Sequence, residues 1–194
     1  MKLRKLIALA VGTLSMVCAG ASGQTSTWII DPSHSSVAFT IRHLAVSNVH
    51  GTITGVKGTV LLDEKDVTKS SVTATMDSAT VNTGSDRRDK DLKSSDFFDV
   101  EKKPTITFKS TAVTKNGGKL QLVGDLTLNG VTKPITMDLD SPTPPVTQKN
   151  GKVMSGFSAT GMMKRADYNF GSKYTAPLLG DDVKLTIDVE ITKQ

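Results

Sequence analysis

From Val183 to Thr192 the chain alternates without a break: Val183, Leu185, Ile187, Val189 and Ile191 fall on one side, Lys184, Thr186, Asp188, Glu190 and Thr192 on the other. That is the period of a half-buried β-strand; a helix would bring apolar residues round every three to four positions. The same period organises Val37, Phe39, Ile41 and His43; Val72, Ala74 and Met76; Ile106 and Phe108; Leu120, Leu122, Leu126 and Leu128; Ile135, Met137 and Leu139; and Phe157, Ala159 and Met163. Asn116-Gly117-Gly118, Asn129-Gly130 and Asn150-Gly151 punctuate these runs. Such sequences supply the positive φ of tight hairpins. With a less regular run from Gly51 to Asp63, the chain holds about eight mostly long strands joined in simple order. The expected fold is all-β, an eight-stranded up-and-down antiparallel β-barrel, because closure is how such a sheet removes its edges. Two stacked sheets give the same alternation, so a β-sandwich is the alternative.

A barrel of this size either fills its interior with side chains or holds one elongated guest. The predicted inner face combines Phe39, Ile41, His43, Met76, Phe108, Leu126, Met137, Phe157, Met163, Leu185 and Ile187 with the small residues Ala74, Gly124, Ala159 and Gly161. Small and pliable residues leave space for a guest. The alternation fits a filled core equally well, and both readings stand on the residues alone.

Residues 1–23 predict a cleaved signal peptide: Lys2, Arg4 and Lys5, an apolar run from Leu6 to Val17, then small residues with cleavage after Ala21 or Gly23. The run is short for a transmembrane helix, and residues 24–194 form one expected domain. Export to the periplasm is expected. Cys18 follows Ser15-Met16-Val17, a poor context for lipid attachment, and the processed chain has no cysteine for a disulfide, a thiolate metal site or thiol catalysis. Removing the three basic residues leaves 21 Lys and Arg against 19 Asp and Glu, so the charge falls from +5 to +2 and nucleic acid is not implied.

His34, His43 and His50 cluster in sequence, but His34 and His43 fall on opposite faces of one unbroken strand, and no Asp or Glu stands at ligand spacing among them. No metal or cofactor is expected. His43 continues the apolar face and points inward near a barrel end. Ser and Thr abound without a Gly-x-Ser-x-Gly elbow. Asp86, Asp89 and Asp91, interleaved with Arg87, Arg88 and Lys90, read as a solvated, self-paired face. The residues present no catalytic constellation.

The segment DRRDKDLKSSDFF, Asp86–Phe98, lies in a connection too long for a hairpin. It predicts a short helical lid capped by Asp86, with charge in water and Leu92, Phe97 and Phe98 turned to the open end of the barrel. Those side chains could also form a satellite core.

Asp31-Pro32-Ser33-His34-Ser35, Phe39-Thr40-Ile41-Arg42-His43, Arg88-Asp89 with Leu92, Ser95-Asp96-Phe97-Phe98-Asp99-Val100, Pro104 to Ser110 and Gly124 to Thr132 follow one another in an order that resembles the YceI-like proteins, from about Trp28 to Ile191. The resemblance implies a lipocalin-like barrel, exported in bacteria, that binds a polyisoprenoid or isoprenoid quinone in its lumen and catalyses no reaction. The sequence departs from the pattern in two places: Asp91 stands where histidine is common, and Asn169-Phe170 precede Gly171. Tail burial would dominate affinity, with His43, Arg88 and Arg165 as candidates for a polar head and Asp89, Leu92, Phe97 and Phe98 as lid residues. For both arginines an ion pair with a nearby aspartate is the competing reading. A lipid-acting hydrolase and a filled interaction module are the alternative functions, and a homodimer is the expected oligomer.

Overall fold

A computed structural model describes residues 25–194, so the expected signal peptide lies outside the described residues. Eleven strands follow in order: β1 (Thr25–Ile30), β2 (Ser36–His43), β3 (Ser47–Thr54), β4 (Lys57–Asp63), β5 (Ser71–Asp77), β6 (Thr105–Asn116), β7 (Lys119–Leu128), β8 (Val131–Leu139), β9 (Val146–Thr147), β10 (Val153–Lys164) and β11 (Leu179–Lys193). One α-helix, α1 (Asp86–Lys93), lies between β5 and β6. All pairings are antiparallel.

The eleven strands close into an eight-stranded barrel because three of its staves are broken, one of them where β8 and β9 follow one another along the same edge of β10. Trp28–Ile30 of β1 pair with Lys193–Ile191, while Ser36–His43 of β2 continue along the same edge of β11. β1 and β2 are therefore one stave interrupted at Asp31–Ser35. Pro32 lacks an N–H, and the Asp31 carboxylate accepts from the Ser33 N–H at 2.8 Å, which turns the chain out of its ladder. β3 pairs with β2 and β4 with β1, making a second broken stave interrupted near Gly55, where φ is 69°. Meander order then holds through β8, and β10 with β11 closes the ring from Met154–Thr192 to Lys164–Asp182. Closure excludes the sandwich. The expected hairpin turns join β6 to β7 at Gly117-Gly118 and β7 to β8 at Asn129-Gly130, all at positive φ.

Apolar parity sorts itself inward along every stave. Trp28, Ile30 and Ile191 are essentially sealed from solvent and, with Val60, Leu62, Val113 and Leu120, fill one end as a solid floor. The Trp28 indole N–H, which burial would otherwise leave unsatisfied, donates to Ser26 Oγ at 2.7 Å. Among the described residues no helix is long and apolar enough to cross a membrane.

Candidate lipid cavity and its lid

Above the floor the barrel encloses a cavity of about 680 Å³, within the usual span for a small-molecule site. Its wall is almost wholly apolar and comes from every stave. Each inner-face residue proposed from alternation, Phe39, Ile41, His43, Met76, Phe108, Leu126, Met137, Phe157, Met163, Leu185 and Ile187, lines it. Exposure grades along the wall: Met76, Phe108, Leu126 and Met137 are buried, whereas Phe39, Ile41 and His43 on β2 are half-buried and mark the open side.

Two small inward residues do something other than leave space. A Cβ at Gly124 would stand 2.5 Å from Phe108 Cζ, and one at Gly161 would stand 2.7 Å from Met137 Cγ. Each glycine admits the side chain of the neighbouring strand, so the void arises from the whole barrel and owes nothing to these two positions.

The lid segment spans the open end. Ser85 occupies the N-cap of α1 without a side-chain hydrogen bond, and Asp86 is the first helical residue; the expected Asp86 cap is not formed. Asp86 and Asp89 in the first turn, with Lys90 and Lys93 in the last, instead complement the helix dipole. Phe97 and Phe98 are buried, and Leu92 packs beneath them on the core. Their partners are aromatic: Phe97 stacks on Tyr174 at 5.3 Å and meets Phe170 edge-on at 5.4 Å, while Phe98 meets Phe170 edge-on at 4.6 Å. Leu92, Phe97, Phe98, Phe170 and Tyr174 all line the cavity. Phe170 thus supplies the ring around which the lid aromatics assemble.

Among the described residues neither arginine forms the ion pair that was the competing reading. Arg88 donates through Nε to Thr83 Oγ1 at 2.7 Å and through Nη2 to the Thr83 carbonyl at 3.0 Å, and it faces the cavity. Asp89 does not line the cavity; it accepts from the Thr83 N–H at 2.8 Å and hydroxyl at 2.5 Å, so both residues fix the start of the lid. Arg165 is 5 % exposed and surrounded by main-chain carbonyls: Nε donates to Gly180 at 2.8 Å, Nη1 to Phe170 at 3.0 Å and Gly171 at 2.8 Å, and Nη2 to Leu179 at 3.1 Å and to Tyr174. Five donors meet five carbonyls, which leaves none for a ligand head. Arg165 is the knot of the loop that carries Phe170 and Tyr174. Only the folded loop reveals this role; the sequence shows a basic residue between Lys164 and Ala166-Asp167.

The histidines separate. His43 lines the cavity mouth, His50 accepts from or donates to Thr40 Oγ1 at 3.0 Å on the outside, and His34 sits in the stave break. Contrary to the sequence expectation, carboxylates do reach His34: Asp31 Oδ2 at 3.1 Å and Glu190 Oε1 at 3.6 Å from Nδ1. The hydrogen bond to Asp31, then the charges of Glu190 and Asp31, raise the imidazole pKa, and the same bond lowers that of Asp31.

A family profile described as YceI-like domain matches residues 28–191. The chain belongs to the YceI-like family. The YceI protein of Escherichia coli is 37 % identical over 188 residues, covering 93 % of this chain and 94 % of that protein. The crystal structure of the Campylobacter jejuni YCEI protein is 32 % identical, with a TM-score of 0.70 over 79 % of this chain and 90 % of that one. A polyisoprenoid binding domain from Saccharophagus degradans, implicated in plant cell wall breakdown, shares the fold at a TM-score of 0.62 and 14 % identity, over 86 % of this chain and 98 % of that one. This YceI-like chain therefore shares the barrel fold of its relatives.

Proposed function

We propose that this protein binds a long-chain polyisoprenoid or isoprenoid quinone in its barrel and serves as a periplasmic lipid carrier, store or buffer without catalysis. The observation that carries the reading is the cavity of about 680 Å³ with an almost continuous apolar wall, open at one end and floored at the other. Burying each five-carbon unit contributes on the order of 3 kcal/mol by transfer, less a large cost for ordering a flexible chain. Family membership supports a lipid ligand, as does the fold shared with a polyisoprenoid binding domain. The basic, apolar and small-residue succession in residues 1–23 supports export. Polar atoms near the mouth, on His43, Arg88 and Asp91, orient a head group.

Solvent extraction of purified protein followed by mass spectrometry tests the reading. A prenyl lipid at near-stoichiometric yield supports it; protein that is consistently empty, and takes up no prenyl lipid on incubation, overturns it. Light scattering on the same sample tests the expected homodimer.

A further inference from the structure

One turn at the cavity mouth is built from residues that disfavour its geometry. β2 and β3 meet at His43 and Ser47, the Val46 N–H donates to the His43 carbonyl at 3.0 Å, and the two residues between stand at φ 53° (Leu44) and 55° (Ala45). Left-handed backbone crowds any Cβ against the next carbonyl, so tight hairpins of this kind favour Asn-Gly. The chain obeys that preference between β7 and β8, where Asn129 and Gly130 have φ 52° and 76°. At the mouth it places Leu-Ala-Val. Strain of this kind persists where the surroundings or the function demand it.

The turn displays apolar surface. Val46 is 76 % exposed, Leu44 49 % and Leu178 43 %. They form one rim, since the Leu44 N–H donates to the Leu178 carbonyl at 3.0 Å and Leu178 itself lines the cavity. Charge is the second observation. The hairpin Ser36–Thr54 carries Arg42, His43 and His50 and no acidic residue. Arg42 braces the tip, donating to the Ala45 carbonyl at 3.0 Å and Asn48 Oδ1 at 3.2 Å. Arg87 and Arg88 of α1 also border the cavity, with Asp91 beside them. Among the described residues none of these three arginines forms an ion pair.

An apolar tip flanked by unpaired cations suits the interface of an anionic bilayer: side chains such as Leu44 and Val46 enter the acyl boundary while guanidinium groups meet the head groups. We propose that Leu44, Val46 and Leu178, with Arg42 and Arg87, dock the barrel mouth-first on an anionic lipid surface, so that a lipid tail passes between membrane and cavity without crossing water. The proposal rests on the lipid-binding reading above.

The test is co-sedimentation of the processed protein with vesicles of phosphatidylcholine containing roughly one-third phosphatidylglycerol, against vesicles of phosphatidylcholine alone. The variant carries Leu44→Asn, Ala45→Gly and Val46→Ser, which suits the turn backbone; its melting temperature should equal or exceed that of the wild type. Wild type should sediment with the anionic vesicles, and the variant about tenfold less, given the loss of two buried apolar side chains. Added salt and neutral vesicles should also weaken wild-type binding. Equal sedimentation of both proteins, or none by the wild type, overturns the proposal. A variant that still sediments but passes from dimer to monomer assigns the rim to a second copy, and also overturns it. Mass spectrometry of extracted lipid reads cavity occupancy separately. Protein that docks but is empty and takes up no prenyl lipid on incubation refutes the lipid-binding reading alone, and loaded protein that does not dock refutes the docking alone.

Discussion

Phe108 shows how much a single residue reveals about a closed sheet. Its parity on β6 points it inward, and its ring closes over Gly124 on the next strand. Phe108→Asp should destabilise the fold by ~3–5 kcal/mol, the scale of an uncompensated buried charge, and expel cargo. Thr107→Asp, one residue away on the outer face between Thr75 and Thr127, should do neither. Denaturation midpoints and lipid yields from both variants decide the matter, and equal effects would mean the faces are misassigned. His34 invites a different measurement. Its raised pKa means that its pairing contributes fully below the unfolded value of 6.5 and fades as pH rises through the higher folded value. The lowered pKa of Asp31 acts at the other end, contributing above 3.8 and fading as pH falls through the lower folded value. Thermal melts should therefore separate wild type from His34→Ala more at about pH 5.5 than at about pH 8.5. Because the group is exposed the difference is small, and a gap that widens with pH would contradict the sign. Inward parity was legible because alternation is local. The Glu190 contact was not, since it joins segments that only the closed barrel brings together, and the five carbonyls around Arg165 were not, since they depend on the path of the irregular loop 170–180, which carries no periodic signal.

At the scale of the element, the lid is the part whose sequence said most. A long connection bearing two adjacent phenylalanines amid charge reads as a cover or as a satellite core, and the rings are buried at the cavity mouth, as either reading requires. Its anchors were illegible: Phe170 and Tyr174 arrive from the loop after β10, held by Arg165. The cap was misread because Ser85 and Asp86 are both plausible helix starters, and backbone geometry chose the serine. Phe97→Ala with Phe98→Ala should leave the circular dichroism of the barrel intact and hasten lipid release, since changes of this kind appear mostly in the off-rate. Stopped-flow transfer of a fluorescent prenyl lipid to acceptor vesicles provides the readout. An unfolded variant, or release at the wild-type rate, would show that the segment is only packing. The broken staves were hidden from sequence reading, because a chain that turns out of its ladder, as at Asp31–Ser35, and resumes on the same neighbour keeps its alternation on both sides of the break.

For the whole molecule, the dominance of apolar burial sets the thermodynamics of cargo binding. Affinity for a prenyl chain should be nearly insensitive to ionic strength, because apolar contacts are unscreened. Across a matched prenyl series affinity should rise with tail length until the cavity is full; titrations in low and physiological salt measure both. A tenfold loss on adding salt would point to a charged cargo. Closure also has a consequence in time. β11, the 15-residue final strand, pairs with β10 on one edge and with β1 and β2 on the other, and the Gln194 N–H reaches back to the Thr27 carbonyl at 3.0 Å. The first and last strands to emerge are therefore neighbours, and their meeting is the most distant contact the chain must find. Until it is made there is a sheet with two open edges and no interior. A chain delivered N-terminus first thus has no compartment to fill before its last strand arrives, and its birth as a container is a single late event.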